Sequence, residues 1–192
     1  MANTLNSLTT GSGGVQIACV DTSGDLNIQS GGSTKIAVTS AGVAVTGLSK
    51  ASLPAGSVLQ VVNATYATAT SFTSTSYITS NLTATITPTS ATSKILIQVS
   101  LPCMADTTGG QLWATVFRGT VAGTNLATNA TGFGALYNTA GSIQSVISAT
   151  ILDNPATTSA TTYTVGVKLS GGSGYFNNNS TTSTITLMEI AA

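Results

Sequence analysis

The chain is 192 residues long, enough for one domain of ordinary size with a small appendage. Five basic and five acidic residues cancel, and charged residues make up 5% of the chain, against roughly 25% in a typical soluble domain. A nucleic-acid binder needs clustered cations to displace counterions from phosphate. Lys35, Lys50, Lys94, Arg118 and Lys168 fall singly, which excludes that class and attachment to a membrane surface through a basic patch.

Ser and Thr replace the missing charge and supply about a third of the residues. Thr is β-branched and suits a half-buried pleated surface, Ser suits turns, and the long helix formers are scarce. Composition therefore predicts an all-β fold. A neutral, weakly charged chain lacks repulsion between copies, which points to association with its sheet edges closed by partners. No apolar run reaches the ~18 residues a membrane helix needs, so no membrane insertion is expected. Met1 to Ser7 have neither a basic start nor an apolar stretch; with Cys19 and Cys103 read as free thiols, this fits synthesis in a cytoplasm.

In chain order, residues 13–47 are repetitive. Gly-containing turns lead into Val15–Val20, Asp25–Gln29, Thr34–Val38 and Val43–Thr46, each with apolar residues at period two. Such short strands bury little on their own, and a lone sheet of them is marginal in water. Sharing a core with identical copies is the physical remedy, so this segment predicts an oligomer. The organisation expected is an attachment and β-repeat shaft segment over 1–50, a linker over 51–56 marked by Pro54 and Gly56, and a head over 57–192. Within the head, strands are predicted at 58–62, 82–87 (ended by Pro88), 94–101, 111–118, 143–152, 163–169 and 184–190. Seven strands separated by Gly, Ser, Asn and Thr turns predict a β-sandwich or jelly roll.

Catalytic chemistry finds few candidates. Without histidine the commonest general base and metal ligand are gone, and no nucleophile elbow, P-loop or dinucleotide fingerprint is present. Paired carboxylates for glycoside cleavage would have to come from Asp21, Asp25, Asp106, Asp153 and Glu189 alone. Asp21 and Asp25 read either as oxygen ligands for Ca²⁺ or as an Asx-type turn. The expectation is no enzyme, no cofactor and no dedicated metal site. The Asn-x-Ser/Thr sequons at Asn63, Asn81, Asn129, Asn178 and Asn179 are what so much Ser and Thr produces by chance. Trp113 and Phe117 share one face of their strand, with Leu112, Ala114 and Val116 on the other, which predicts core or subunit-interface packing. Phe133 and Tyr137, and Tyr175 and Phe176 with Asn177 and Asn178, stand among Gly and Asn. Such rings either plug the end of the sandwich or stack on sugars while amides bind hydroxyls.

The stretch Thr22 to Gly32, continuing through Val43 to Gly47, resembles the short shaft repeats of tailed-phage fibre, tailspike and virion-decoration proteins. The run Ile86 to Ile97 and the closing strand Thr184 to Ile190 are similar to a trimeric jelly-roll head of the tumour-necrosis-factor-like kind. The resemblance implies a homotrimer on the virion, held to other virion proteins of tail or capsid by its N-terminus, with Leu5, Leu8, Val15 and Ile17 as contacts. It implies a head that meets a host cell-surface glycan or protein through Phe133, Tyr137, Tyr175, Phe176, Asn177 and Asn178. A capsid decoration (cement) protein is the alternative role, and a non-viral adhesin the third.

Overall fold

The computed structural model describes residues 26–30, 33–39, 42–45, 53–127 and 129–192. The chain divides into two compact units, Met1–Ser52 and Leu53–Ala192. Among the described residues everything regular is β, apart from one 3-10 turn at Asn178–Ser180.

In the first unit, β1 (Leu26–Ser30), β2 (Ser33–Thr39) and β3 (Gly42–Val45) form an antiparallel meander. The register places Ile28 opposite Ile36, and Ile36 opposite Val45, so one apolar row crosses all three strands. Ile28 and Val45 are about half exposed and Val43 more so. The strand expected at 15–20, the Asp21/Asp25 pair and the contacts at Leu5, Leu8, Val15 and Ile17 lie outside the described residues.

The second unit contains β4 (Val58–Tyr66), β5 (Thr70–Phe72), β6 (Ile78–Ile86), β7 (Lys94–Ala105), β8 (Gln111–Arg118) and β9 (Thr124–Asn125). They are followed by β10 (Gly134–Tyr137), β11 (Ile143–Asp153), β12 (Thr161–Leu169), β13 (Gly174–Phe176) and β14 (Ser183–Ile190). One sheet has the order β4-β14-β7-β11, with β13 and β5 extending the ranks of β14 and β4. The other has the order β6-β12-β8-β10, with β9 continuing the β10 edge. All pairings are antiparallel. The chain changes sheet at every long connection except β8 to β10, which is the double Greek key of a jelly roll.

Alternation builds the core. Leu82, Ala84 and Ile86 of β6 and Ile95, Ile97, Val99 and Leu101 of β7 turn into the core from the two sheets, while the Thr and Asn between the β6 residues stay exposed. Leu112, Ala114 and Val116 are the residues that turn into the core; Trp113 and Phe117, expected in the core or a subunit interface, lie instead on the outer face of the second sheet, because register turns the other face of β8 inward. Strand β7 runs on through Pro102 to Ala105, past the expected end at Leu101. The carbonyl of Pro102 accepts from Asn177 N, so its nitrogen faces the gap where β14 stops pairing at Ser100 and β13 begins at Cys103. Proline costs no ladder hydrogen bond there.

Two buried carboxylates pin the end where the chain comes in. Glu189 is fully buried; Thr89 donates to it from N and Oγ1, both at 2.7 Å, and Gln60 from Nε2 at 2.6 Å. This ties the 87–93 turn and β4 to the last strand. Burial raises the pKa of Glu189, but the hydrogen bonds from Thr89 and Gln60 outweigh it and hold the carboxyl below its ordinary range. Asp153 takes Arg118 Nε at 2.9 Å and Nη2 at 2.5 Å, and the buried Tyr163 hydroxyl at 2.7 Å. Burial, and then the bond to Asp153, pushes the Tyr163 phenol far above its ordinary range. The cluster joins β8 and β12 of one sheet to β11 of the other. The turn Gly56 N to Ala191 O (2.8 Å), with Ala191 N to Ser57 O (2.9 Å), fastens the start of this unit to its end.

Three outcomes follow for stability. Glu189→Ala, read by chemical denaturation at neutral pH, lowers stability by about 3 kcal/mol, because donors to a buried charge lose their acceptor. Since the folded pKa of Glu189 lies below the unfolded one, its contribution is present above the ordinary glutamate pKa and disappears as pH falls through the folded value. A shallower acid limb in the Ala variant checks this. Ala156 sits at φ 51°, a left-handed conformation that glycine adopts freely, so Ala156→Gly raises stability by up to about 1 kcal/mol. The Cys103 thiol is pushed by burial up to about 12; peptide mapping after maleimide treatment finds it modified only once the protein is unfolded.

Candidate functional site

The connections 67–77, 106–110, 138–142 and 170–182 gather at the pole opposite Leu53 and Ala192. They hold one another through backbone and amide hydrogen bonds. Asn138 is fully buried: its Nδ2 donates to Ala105 O at 3.0 Å and to Gly141 O, and its backbone pairs with Gly109 and Gly110. Thr107 Oγ1 accepts from Ser173 N at 3.0 Å, while Asp106 N donates to Ser173 O at 3.0 Å and Ser142 Oγ donates to the Asp106 carboxylate. Gly172, at φ 79°, passes so near Thr107 that any Cβ would collide with its hydroxyl. The loops therefore form a rigid cap.

The residues expected to bind a receptor divide by this geometry. Phe176 is fully buried, its ring 5.9 Å from that of Phe72 and 6.2 Å from Tyr66. Asn177 is fully buried in a left-handed conformation; its Nδ2 donates to Tyr66 O at 2.8 Å and its Oδ1 accepts from Ser183 Oγ. Phe133 is half-buried against the core beside Ile147 and Val165. Phe176 and Asn177 hold the pole together, while Phe133 packs farther down the sandwich beside Ala114. Tyr175 and Asn178 are half-buried at the upper end of the first sheet's outer face, where Asn178 Nδ2 lies 3.7 Å from Met104 Sδ and the adjacent Asn179 donates to Gln144 Oε1 at 3.1 Å. Tyr137 is about half exposed on the second sheet, opposite Gln111. Tyr137 thus stands apart from Tyr175 and Asn178, on a different face of the unit.

The register brings a further cluster to the face that carries Tyr137. Lys168 pairs with Trp113, and its ammonium lies 5.0 Å from the Trp113 ring and 4.6 Å from that of Tyr77. A desolvated cation over aromatic faces gains about 1 kcal/mol per good contact. Burial raises the Tyr77 phenol, whose hydroxyl donates to Ala130 O at 3.2 Å. Phe117 packs edge-on against Tyr77, with ring centroids 5.4 Å apart, over Gly166, where a Cβ would come within 2.7 Å of the Phe117 ring. The result is an aromatic cluster, its Tyr77 and Phe117 rings inclined at 75°, with one positive charge, able to meet a sugar ring and attract an acidic group. Trp113 reads from the sequence as a core or subunit-interface aromatic; Tyr77 and Lys168 carry no signal, because only strand register brings them beside it. Among the described residues no three His, Cys, Asp or Glu gather as metal ligands would.

No protein-family model and no curated protein matches the chain. Among solved structures it is similar to the VP2 subviral particle of infectious bursal disease virus, with a TM-score of 0.43, 16% identity, and 71% of this chain and 39% of that one covered. A mutant VP2 of the same virus in T=1 particles gives a TM-score of 0.42 and 14% identity over 71% and 37% of the two chains. The structure of the virus's Gx strain gives 0.41 and 19% over 69% and 37%. The chain spans less than half the length of each of these, and likeness at this level carries no argument for its role.

Proposed function

We propose that the chain is a small homotrimeric protein of a phage particle, a tail fibre or tailspike that joins the virion by its N-terminal segment and touches the host surface with its head. It acts by binding rather than by catalysis. The observation that supports this reading is the polarity of the second unit. The chain comes in at Leu53–Ser57, hydrogen-bonded to the C-terminal residues, while the rigid loop cap lies at the far end of β7. Its 12 residues extend about 40 Å. The Trp113, Tyr77, Lys168 and Tyr137 platform sits on the outward flank near that cap.

The ligand that suits this surface is a glycan. Aromatic faces stack on its rings, and Lys168 offers a charge to an acidic sugar. Each such contact is weak. Three on one head raise the effective concentration of the second and third, so adhesion is strong without a deep pocket.

Antibody against the purified chain, applied to intact particles and viewed by electron microscopy, is expected to label the tail. Label spread over the shell replaces this reading with the cement role, and particles without label end both. Tyr137→Ala, at an exposed position that leaves the fold intact, is expected to weaken binding of the chain to host cells by at least about tenfold.

A further inference from the structure

The second unit exposes its large apolar side chains unevenly. Val58, Val61, Val146 and Leu152, each half exposed or more, all lie on the outer face of the first sheet; Tyr137 is the one counterpart elsewhere on that unit. Register aligns them. Val61 stands opposite Met188, Met188 opposite Leu96, and Leu96 opposite Leu152, so a single apolar row crosses all four strands. Val58 and Ile190 extend the row on one side through the bulge at Glu189/Ile190. On the other side comes an uncharged row of Asn63, Thr186, Gln98 and Thr150.

We infer that this face is the contact between copies of the chain, with the apolar row at its centre and the Thr, Gln and Asn row as its rim. Charge singles out a second copy. Lys94 is the one ionisable side chain on the outer surface of these four strands, because Glu189 and Asp153 turn inward and are held there. Apart from Lys94, beside Ile190 at the end of the face, two such faces meet without an unpaired charge, whereas a partner of strong charge would find little to pair with. Size agrees. Four strands of 9, 8, 12 and 11 residues, about 19 Å across and on average about 33 Å long, present about 630 Å², at the lower end of what one partner contributes to a standard interface. The first unit repeats the pattern independently, with its own apolar row at Ile28, Ile36 and Val45 left half open to solvent. An apolar row that spans the long strands of a sheet and stays about half exposed at its ends is what a closed oligomer supplies with a core.

The inference rests on the oligomer of the proposed function, and the experiment keeps the two apart. Solution mass by light scattering is measured for the full chain and for Val61→Glu, Leu152→Glu and, as a control on the outer face of the second sheet, Thr83→Glu. The expected result is a multimer for the full chain and the control. Both variants in the row fall to the mass of one chain, or their dissociation constant rises at least a hundredfold, with the β circular-dichroism spectrum retained. Variants that keep the full multimer mass overturn the face and leave the oligomer standing; a full chain that is itself monomeric overturns both. Thr186→Cys, a mild change in the rim row, covers the case of a Glu variant that fails to fold. A short bifunctional maleimide is expected to bridge residue 186 between copies, and absence of that bridge overturns the assignment.

Discussion

Strand β7 is the constraint on which the rest of the structure depends. It pairs along its whole length with β11, and on its other side with β14 and then β13. Its inward residues from Ile95 to Ala105 are the floor of the core. The two β-partners on one flank are possible because Pro102 sits at the handover, where a missing N–H costs nothing. That handover lets the chain leave the sheet between Phe176 and Ser183, in the segment that forms the loop cap. Core, cap and outer apolar row are thus three consequences of one long strand: its inward side chains, its upper end, and its outward Leu96.

So few charges force polar work onto other groups. The two buried carboxylates tie strands together at one pole, and buried Asn138 and Asn177 do so at the other. No buried side-chain donor or acceptor among the described residues is left without a partner. A satisfied amide holds a loop without the desolvation cost of an ion. The loop pole is therefore held by satisfied amides and carries one charge, Asp106, whose carboxylate accepts from Ser142 Oγ.

Much of the fold was legible in the sequence because period-two alternation was strong wherever one face is core. The strand at 111–118 matches β8, and those at 143–152 and 184–190 fall within a residue of β11 and β14 at each end. The three short strands β5, β9 and β10 were not legible: two to four residues with at most one inward side chain carry no period. Strand β13 stayed hidden in a Gly- and Asn-rich stretch, since its pairing is decided by where β14 ends. The same reason limited the reading of the site. Aromatics flanked by Gly and Asn mark a loop pole, but they do not distinguish Phe176, which fills it, from Tyr137, which projects from the second sheet. The platform of Tyr77, Trp113 and Lys168 joins residues 91 positions apart and exists only through register.

The two outer faces of the sandwich solve opposite problems. On the second sheet the missing side chain of Gly166 lets Phe117 lie flat over the strand, and Tyr77, Trp113 and Lys168 close around it. Its apolar surface is satisfied within the chain, and what remains open is a shaped aromatic platform suited to a small polar ligand. On the first sheet Val61 and Leu152, at the two ends of the row, stay more than half exposed, and the row beside it carries hydroxyl and amide side chains. A flat apolar row of that width costs free energy in water at about 25 cal/mol per Å². In the proposed assembly, packing it against like faces about a symmetry axis removes that cost and turns the aromatic flank of every copy outward. The proposed adhesion through several weak sites rests on this same asymmetry between the two faces.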